Sequence, residues 1–115
     1  MVTKNLTMVR GDTMQFQMKL KNLQATVASL YFTAKTNGTD STPVFQKSLE
    51  DGITLVDTDT YQIRVAPADT ANVAAGNYVY DLQIGLGSDI WTPMMGNLVL
   101  LQDVTNPAPA TSDNT

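Results

Sequence analysis

The side chains in this chain that could do chemistry are few, and their spacing argues against catalysis. None of the 115 residues is histidine or cysteine. The commonest proton carrier near neutral pH and the most nucleophilic side chain are therefore missing. The remaining candidates are carboxylates. Asp12, Asp40, Asp51, Asp57, Asp59 and Asp89 fall in turn sequences, where Asp is favoured because its side chain bonds nearby backbone. Asp57-Thr58-Asp59 offers oxygen atoms to Ca²⁺, but the glycine and the distant bidentate glutamate of a calcium loop do not follow, so a hairpin turn is the better reading. No Gly-x-Ser-x-Gly elbow occurs. Gly85-Leu86-Gly87 lies at a strand end with no dinucleotide pattern continuing from it. Arg10-Gly11-Asp12 spells an adhesion tripeptide, but three residues carry little information, and Gly-Asp before Thr13 reads as a turn. The expectation is a non-enzymatic chain with no cofactor and no metal.

Binding is the chemistry left open. The net charge is −4, and the seven basic residues (Lys4, Arg10, Lys19, Lys21, Lys35, Lys47, Arg64) form no run. That disfavours nucleic acid, whose affinity rests on neutralised phosphates, and anionic membranes for the same reason. Met1 to Met8 holds no long apolar segment of the signal-peptide kind. The longest apolar run, Leu98 to Leu101, is far short of a bilayer span. A chain made in a cytoplasm is expected. Charged residues are only 16% of the total, so the polar surface must come from Thr, Asn, Gln and Ser, side chains that cost little to desolvate against a neighbour.

The last third of the chain holds the strongest interface candidates. In Leu98-Val99-Leu100-Leu101 both strand faces are apolar, so both need cover. Leu98 and Leu100 join a core; Val99 and Leu101 need something else. Trp91, Met94 and Met95 lie just upstream, and Trp and Met are enriched at interface centres. Two readings stand side by side: these residues fold over their own core, or they form an exposed apolar patch that docks a neighbour.

The elements that must position these residues are strands. Met14, Phe16, Met18 and Leu20 alternate with polar residues, as do Leu30, Phe32 and Ala34, then Tyr61, Ile63 and Val65, then Tyr78, Tyr80, Leu82, Ile84 and Leu86. Period two with one apolar face means a half-buried strand. Weaker strands fall at 6–9, 44–49, 53–56, 90–95 and 98–104, with Gly96 a candidate bulge between the last two. Turn residues separate them, and a single helical turn fits at Pro67–Ala71, with Pro at its first position. Seven to nine short strands with turns between them predict an all-β sandwich or small barrel over residues 1–105. Residues 106–115, which include Pro107, Pro109 and small polar residues, cannot pack alone and read as an extended arm.

Two resemblances sharpen the reading. Asp69-Thr70-Ala71 followed by Gly76-Asn77-Tyr78-Val79-Tyr80 resembles the corner of immunoglobulin domains. There a tyrosine two residues before a core cysteine bonds back to main chain. By that likeness Tyr78 fixes the corner and Tyr80 takes the core place of the cysteine. Leu6-Thr7-Met8-Val9-Arg10-Gly11-Asp12-Thr13, Val44-Phe45-Gln46-Lys47, Asp51-Gly52-Ile53-Thr54, Ala66-Pro67-Ala68-Asp69-Thr70 and Gly96-Asn97-Leu98-Val99-Leu100 together resemble the N-terminal immunoglobulin-like module of phage baseplate upper proteins and related short phage virion proteins. The likeness runs from Leu6 to about Thr105. It implies an immunoglobulin-like antiparallel β-sandwich that is a structural part of a bacteriophage virion, on tail, baseplate or capsid. It also implies contacts with other virion proteins and a homo-oligomeric or symmetric assembly; the residues themselves make Trp91, Met94, Met95, Val99 and Leu101, with Pro107 and Pro109 of the arm, the candidate contacts. A host-surface carbohydrate-binding module, with outward Tyr31 as its aromatic, and an unpackaged prophage accessory or inhibitory protein are the alternatives.

Overall fold

The computed structural model describes residues 2–20, 27–57 and 59–104. The expected arm at 106–115, with Pro107 and Pro109, lies outside the described residues. Nine strands and one helical turn follow in order: β1 (Val2–Thr3), β2 (Leu6–Val9), β3 (Met14–Lys19), β4 (Ser29–Lys35), β5 (Phe45–Leu49), β6 (Gly52–Leu55), β7 (Thr60–Val65), α1 (Pro67–Thr70), β8 (Gly76–Leu86) and β9 (Asp89–Leu101). The period-two segments became strands because alternation puts one set of side chains inward. On β4, Leu30, Phe32 and Ala34 are buried, and on β8 so are Tyr80, Leu82 and Ile84.

Hydrogen bonding runs in the order β1-β9-β8-β4-β5-β6-β7-β3, with β2 also on β9. The path folds over at β5–β6, a parallel link of only two residue pairs, Ser48 with Gly52 and Leu49 with Ile53. Glu50 (φ 69°) and Gly52 (φ 95°) make that corner in the left-handed region, which a residue without Cβ enters at no cost. A layer of β1/β2, β9, β8, β4 and β5 thus faces a layer of β6, β7 and β3. Phe16 of β3 meets Phe32 of β4 edge-on, with ring centroids 5.6 Å apart. Phe32 also touches Phe45 and Tyr80. Ile63, Val65, Ile53, Leu98 and Leu100 complete the same interior. Full burial of each such large side chain is worth about 1.5–3 kcal/mol.

The pairing is mixed rather than purely antiparallel: β1 and β2 run parallel to β9. Local alternation carries no sign of this, because the partners sit at opposite ends of the chain. β9 is one strand of 13 residues that absorbs the two segments read separately in the sequence. Its irregularity is not at Gly96, which stays in register with Tyr80. The register shifts between Leu82, which faces Met94, and Ile84, which faces Trp91. Thr92 and Pro93 together therefore oppose Gln83. A bulge tolerates a proline that cannot donate to the ladder.

Two polar clusters tie the ends of the sandwich. Arg10 donates from Nε to Val73 O (2.9 Å) and from Nη2 to Ala71 O (2.5 Å). Its Nη1 meets Asp103 Oδ1 at 3.1 Å, and Gly11 N donates to Thr70 Oγ1 (2.8 Å). The turn Arg10-Gly11-Asp12 is thus bound to the α1 corner, and its arginine is engaged by the domain itself. Across the core, Lys47 points inward from β5 and its Nζ reaches Asp69 Oδ2 at 3.1 Å and Asp51 at 3.7 Å. Asp69 also accepts from Ala66 N (2.7 Å), closing the N-terminus of α1. Tyr78 Oη donates to Ala74 O at 2.5 Å, and Tyr80 Oη to Lys4 O at 2.6 Å.

Candidate functional site

The outer face of the larger layer is set by which residues point away from the core. Ladder registers place Ser48, Tyr31 and Gln83 in one cross-strand row. The next row holds Gln46, Thr33, Asp81, Met95 and Thr3, and a third holds Lys35, Val79 and Asn97. Residues directly opposite on neighbouring strands share a face and touch. The face is therefore a grid of hydroxyls and amides with one tyrosine, one methionine, one valine and one Asp and one Lys.

The loop after β4 turns the face into a groove. Asn37 Oδ1 accepts from Thr39 N (3.0 Å) and from Thr39 Oγ1 (2.6 Å), and Asp40 N donates to Asn37 O (3.2 Å). These bonds hold the loop as a wall, with Gly38, Ser41 and Pro43 facing the groove. The trough encloses about 620 Å³, floored by Tyr31, Thr33, Gln46, Asp81, Gln83 and Met95. Gln46 Nε2 donates to Thr33 Oγ1 at 3.0 Å. Burial pushes the Asp81 carboxyl above its ordinary value, and the ammonium of Lys35 pulls it partly back.

A second surface lies at the far end of β9. The β8–β9 hairpin extends past the core, turning at Gly87 (φ 61°). Ile90 and Trp91 on it are 62% and 59% exposed. The bulge decides where Trp91 points. Without the extra residue it would lie on the face opposite to Met94; with it, Trp91 stands opposite buried Ile84, on the core side of the strand though still exposed. β1 covers β9 at Met94 and Met95, so exposed Val2 sits three positions along β9 from Trp91.

The residues singled out as an interface do not form one patch. Met94 is 6% exposed and belongs to the core. It faces Leu82, so the expectation of an interface role for it is corrected by the parity of β9. Met95, one residue on, points outward into the groove. Val99 is half-buried on the outer face between Asn77 and Thr7. Leu101 is exposed at the opposite end of β9 from Trp91 and has Val9 beside it. The need for cover inferred from the apolar run is met for Leu98 and Leu100 but not for Leu101. Pro107 and Pro109 lie outside the described residues.

Of the groove residues, the sequence singled out Tyr31 and Met95 as candidate contacts and Tyr80 as a core residue. Period two does show that Thr33, Lys35, Asp81 and Gln83 face outward. It does not show that β4 lies beside β8, or that a loop walls their shared face. Among the described residues, no group of three or more Asp or Glu is placed to hold a metal ion. None of the helices there is long and apolar enough to cross a membrane.

No family model matches the chain, and no curated protein matches it. Its fold does recur among solved structures. One is the endo-beta-1,4-mannanase from Thermotoga petrophila, at 9% identity and a TM-score of 0.59, covering 87% of this chain and 18% of that one. This chain therefore spans less than a fifth of the mannanase. Another is NK cell receptor Nkp44, at 12% identity and a TM-score of 0.54, covering 90% of this chain and all of that one. At such identities the likeness is one of fold. The chain has an immunoglobulin-like β-sandwich, and fold alone does not assign an activity.

Proposed function

We propose that the chain is a non-enzymatic docking module that makes protein–protein contacts within a bacteriophage particle. The observation that carries the docking is the pair Ile90 and Trp91. They are two large apolar side chains left more than half exposed on the β8–β9 hairpin, Trp91 opposite Ile84 and Ile90 opposite Gly85. Leaving a tryptophan more than half exposed is costly in water, and a partner's surface recovers that cost on contact. The hairpin also leaves β9 without a β1 or β2 partner upstream of Met94 among the described residues, a stretch of edge to which a neighbour's extended segment can add.

The phage setting rests on the sequence pattern from Leu6 to about Thr105 and its resemblance to the immunoglobulin-like module of baseplate upper proteins. In that setting the contacts repeat with the symmetry of the particle. Two measurements test the reading. Mass spectrometry of purified particles from a host carrying the gene is expected to find this chain at a fixed copy number; its absence from particles refutes the setting. Trp91→Ala is expected to leave the melting temperature of the isolated domain within a few degrees while abolishing its incorporation. A large loss of stability with unchanged incorporation refutes the docking role.

A further inference from the structure

We propose that the groove on the outer face of β4, β5, β8 and β9 is a binding site for a neutral saccharide. This goes beyond the docking reading and rests on a different surface. Its shape comes first. A trough of about 620 Å³ lies within the size of sites that enclose small ligands, roughly 300–1,000 Å³. It is also concave, where a protein partner's surface asks for a flatter match.

The floor offers side chains and no backbone. β4 is paired on both sides, with β5 and β8, and β8 with β4 and β9. A peptide strand lying in the groove would find no free ladder to join. The ligand must instead be read by what projects, which is the hydroxyl of Thr33 and the amides of Gln46 and Gln83. These groups both donate and accept, as sugar hydroxyls do. Tyr31, 38% exposed, gives an aromatic face on which the C–H side of a pyranose can lie.

Charge narrows the class. Asp81 and Lys35 are the charged groups lining the groove, one of each sign, so there is no net field to draw in a phosphate or a cationic peptide. Asp81 sits where burial disfavours its charge, and hydroxyl donors from a ligand would stabilise that carboxylate.

The test is a titration of the full-length, isotopically labelled chain, followed by amide resonances. The probes are maltohexaose, cellohexaose, mannohexaose and chitohexaose, with an oligogalacturonate and a short oligolysine as charged comparisons. At least one neutral probe is expected to give saturable shifts confined to residues 31–35, 38–41, 46, 79–83 and 95. Tyr31→Ala is expected to weaken that binding about tenfold or more, roughly 1.4 kcal/mol or more. Gln83→Ala, a second surface change, acts in the same direction, and Trp91→Ala leaves binding unchanged. No saturable shift with any neutral probe at about 10 mM, where even affinities of a few millimolar are visible, overturns the proposal. So do shifts outside the groove, or binding of a charged probe alone. None of these outcomes bears on the docking role of Trp91, which the incorporation assay reads separately.

Discussion

Tyr80 and Gly96 stand opposite each other on β8 and β9, and the missing side chain of Gly96 leaves room for the Lys4 carbonyl that Tyr80 holds. The Tyr80 ring lies in the core against Phe32, and its hydroxyl ends on Lys4 O, at the joint between β1 and β2. A Cβ added at Gly96 would collide with that same carbonyl. The two residues together seat the N-terminal edge of the sandwich.

Tyr80→Phe removes one partly buried hydrogen bond and is expected to cost about 1 kcal/mol in denaturant unfolding, the usual net worth of such a bond. Gly96→Ala is expected to cost more, about 2 kcal/mol or above, because it both displaces the Lys4 backbone and breaks the tyrosine bond. Amide hydrogen exchange at Val2, Thr3 and Leu6 will show the edge loosening first in both variants. Equal protection in the wild-type and Gly96→Ala chains contradicts this account.

Arg10 joins the first turn to the α1 corner and to Asp103 through three contacts. Arg10→Ala leaves the carbonyls of Ala71 and Val73 without that donor and is expected to cost about 2–3 kcal/mol, as charged hydrogen bonds do when cut. Arg10→Lys recovers only part of this, since one ammonium cannot reach three acceptors in the geometry of a guanidinium. Urea unfolding of the two variants measures both effects. An unchanged midpoint for Arg10→Ala shows the strap to be idle.

Lys47 and Asp69 form a pair whose cation is almost enclosed, with side-chain exposures of 10% and 22%. Removing one partner strands the other. Asp69→Ala leaves the Lys47 ammonium in the core with only Asp51 at 3.7 Å, and also removes the acceptor for Ala66 N. A loss of about 3 kcal/mol is expected. Lys47→Met is expected to be milder, because Asp69 keeps its backbone bond and better access to water. Thermal unfolding that ranks the two variants the other way round refutes the assignment of roles.

Asp81 makes stability depend on pH in the opposite sense to a salt-bridged carboxylate. Burial raises its pKa in the folded chain above the ordinary value of about 3.8, so the folded state favours the protonated form. The favourable contribution is complete below the unfolded pKa and is lost as pH rises through the folded one. Asp81→Asn, neutral throughout, is therefore expected to melt higher than the wild type at pH 7, with the gap closing below about pH 3.8. A gap that widens on acidification contradicts the sign.

Period two along the chain settled which residues face inward: Phe32, Ile63, Leu82 and Leu100 are all buried together, as their alternation required. Alternation is a local property. It follows from the backbone of an extended strand and needs no knowledge of the partner strand. Local residue chemistry likewise placed Pro67 at the start of α1, a corner at Asp51-Gly52 just where β6 begins and a turn at Gly87-Ser88.

Pairing is not local, and tertiary structure decided the rest. The extra residue at Thr92–Pro93 reverses the parity of β9 between Met94 and Trp91, and only the register against β8 reveals it. The five candidates from Trp91 to Leu101 divide among core, groove, outer face and the two opposite ends of the strand. The groove itself joins residues of four strands and a loop that lie far apart in the chain. A sequence prints the faces of its strands because each side chain alternates about its own backbone. Which faces become neighbours is set by hydrogen bonds between segments up to 92 residues apart, as in the pairing of Leu6 with Leu98.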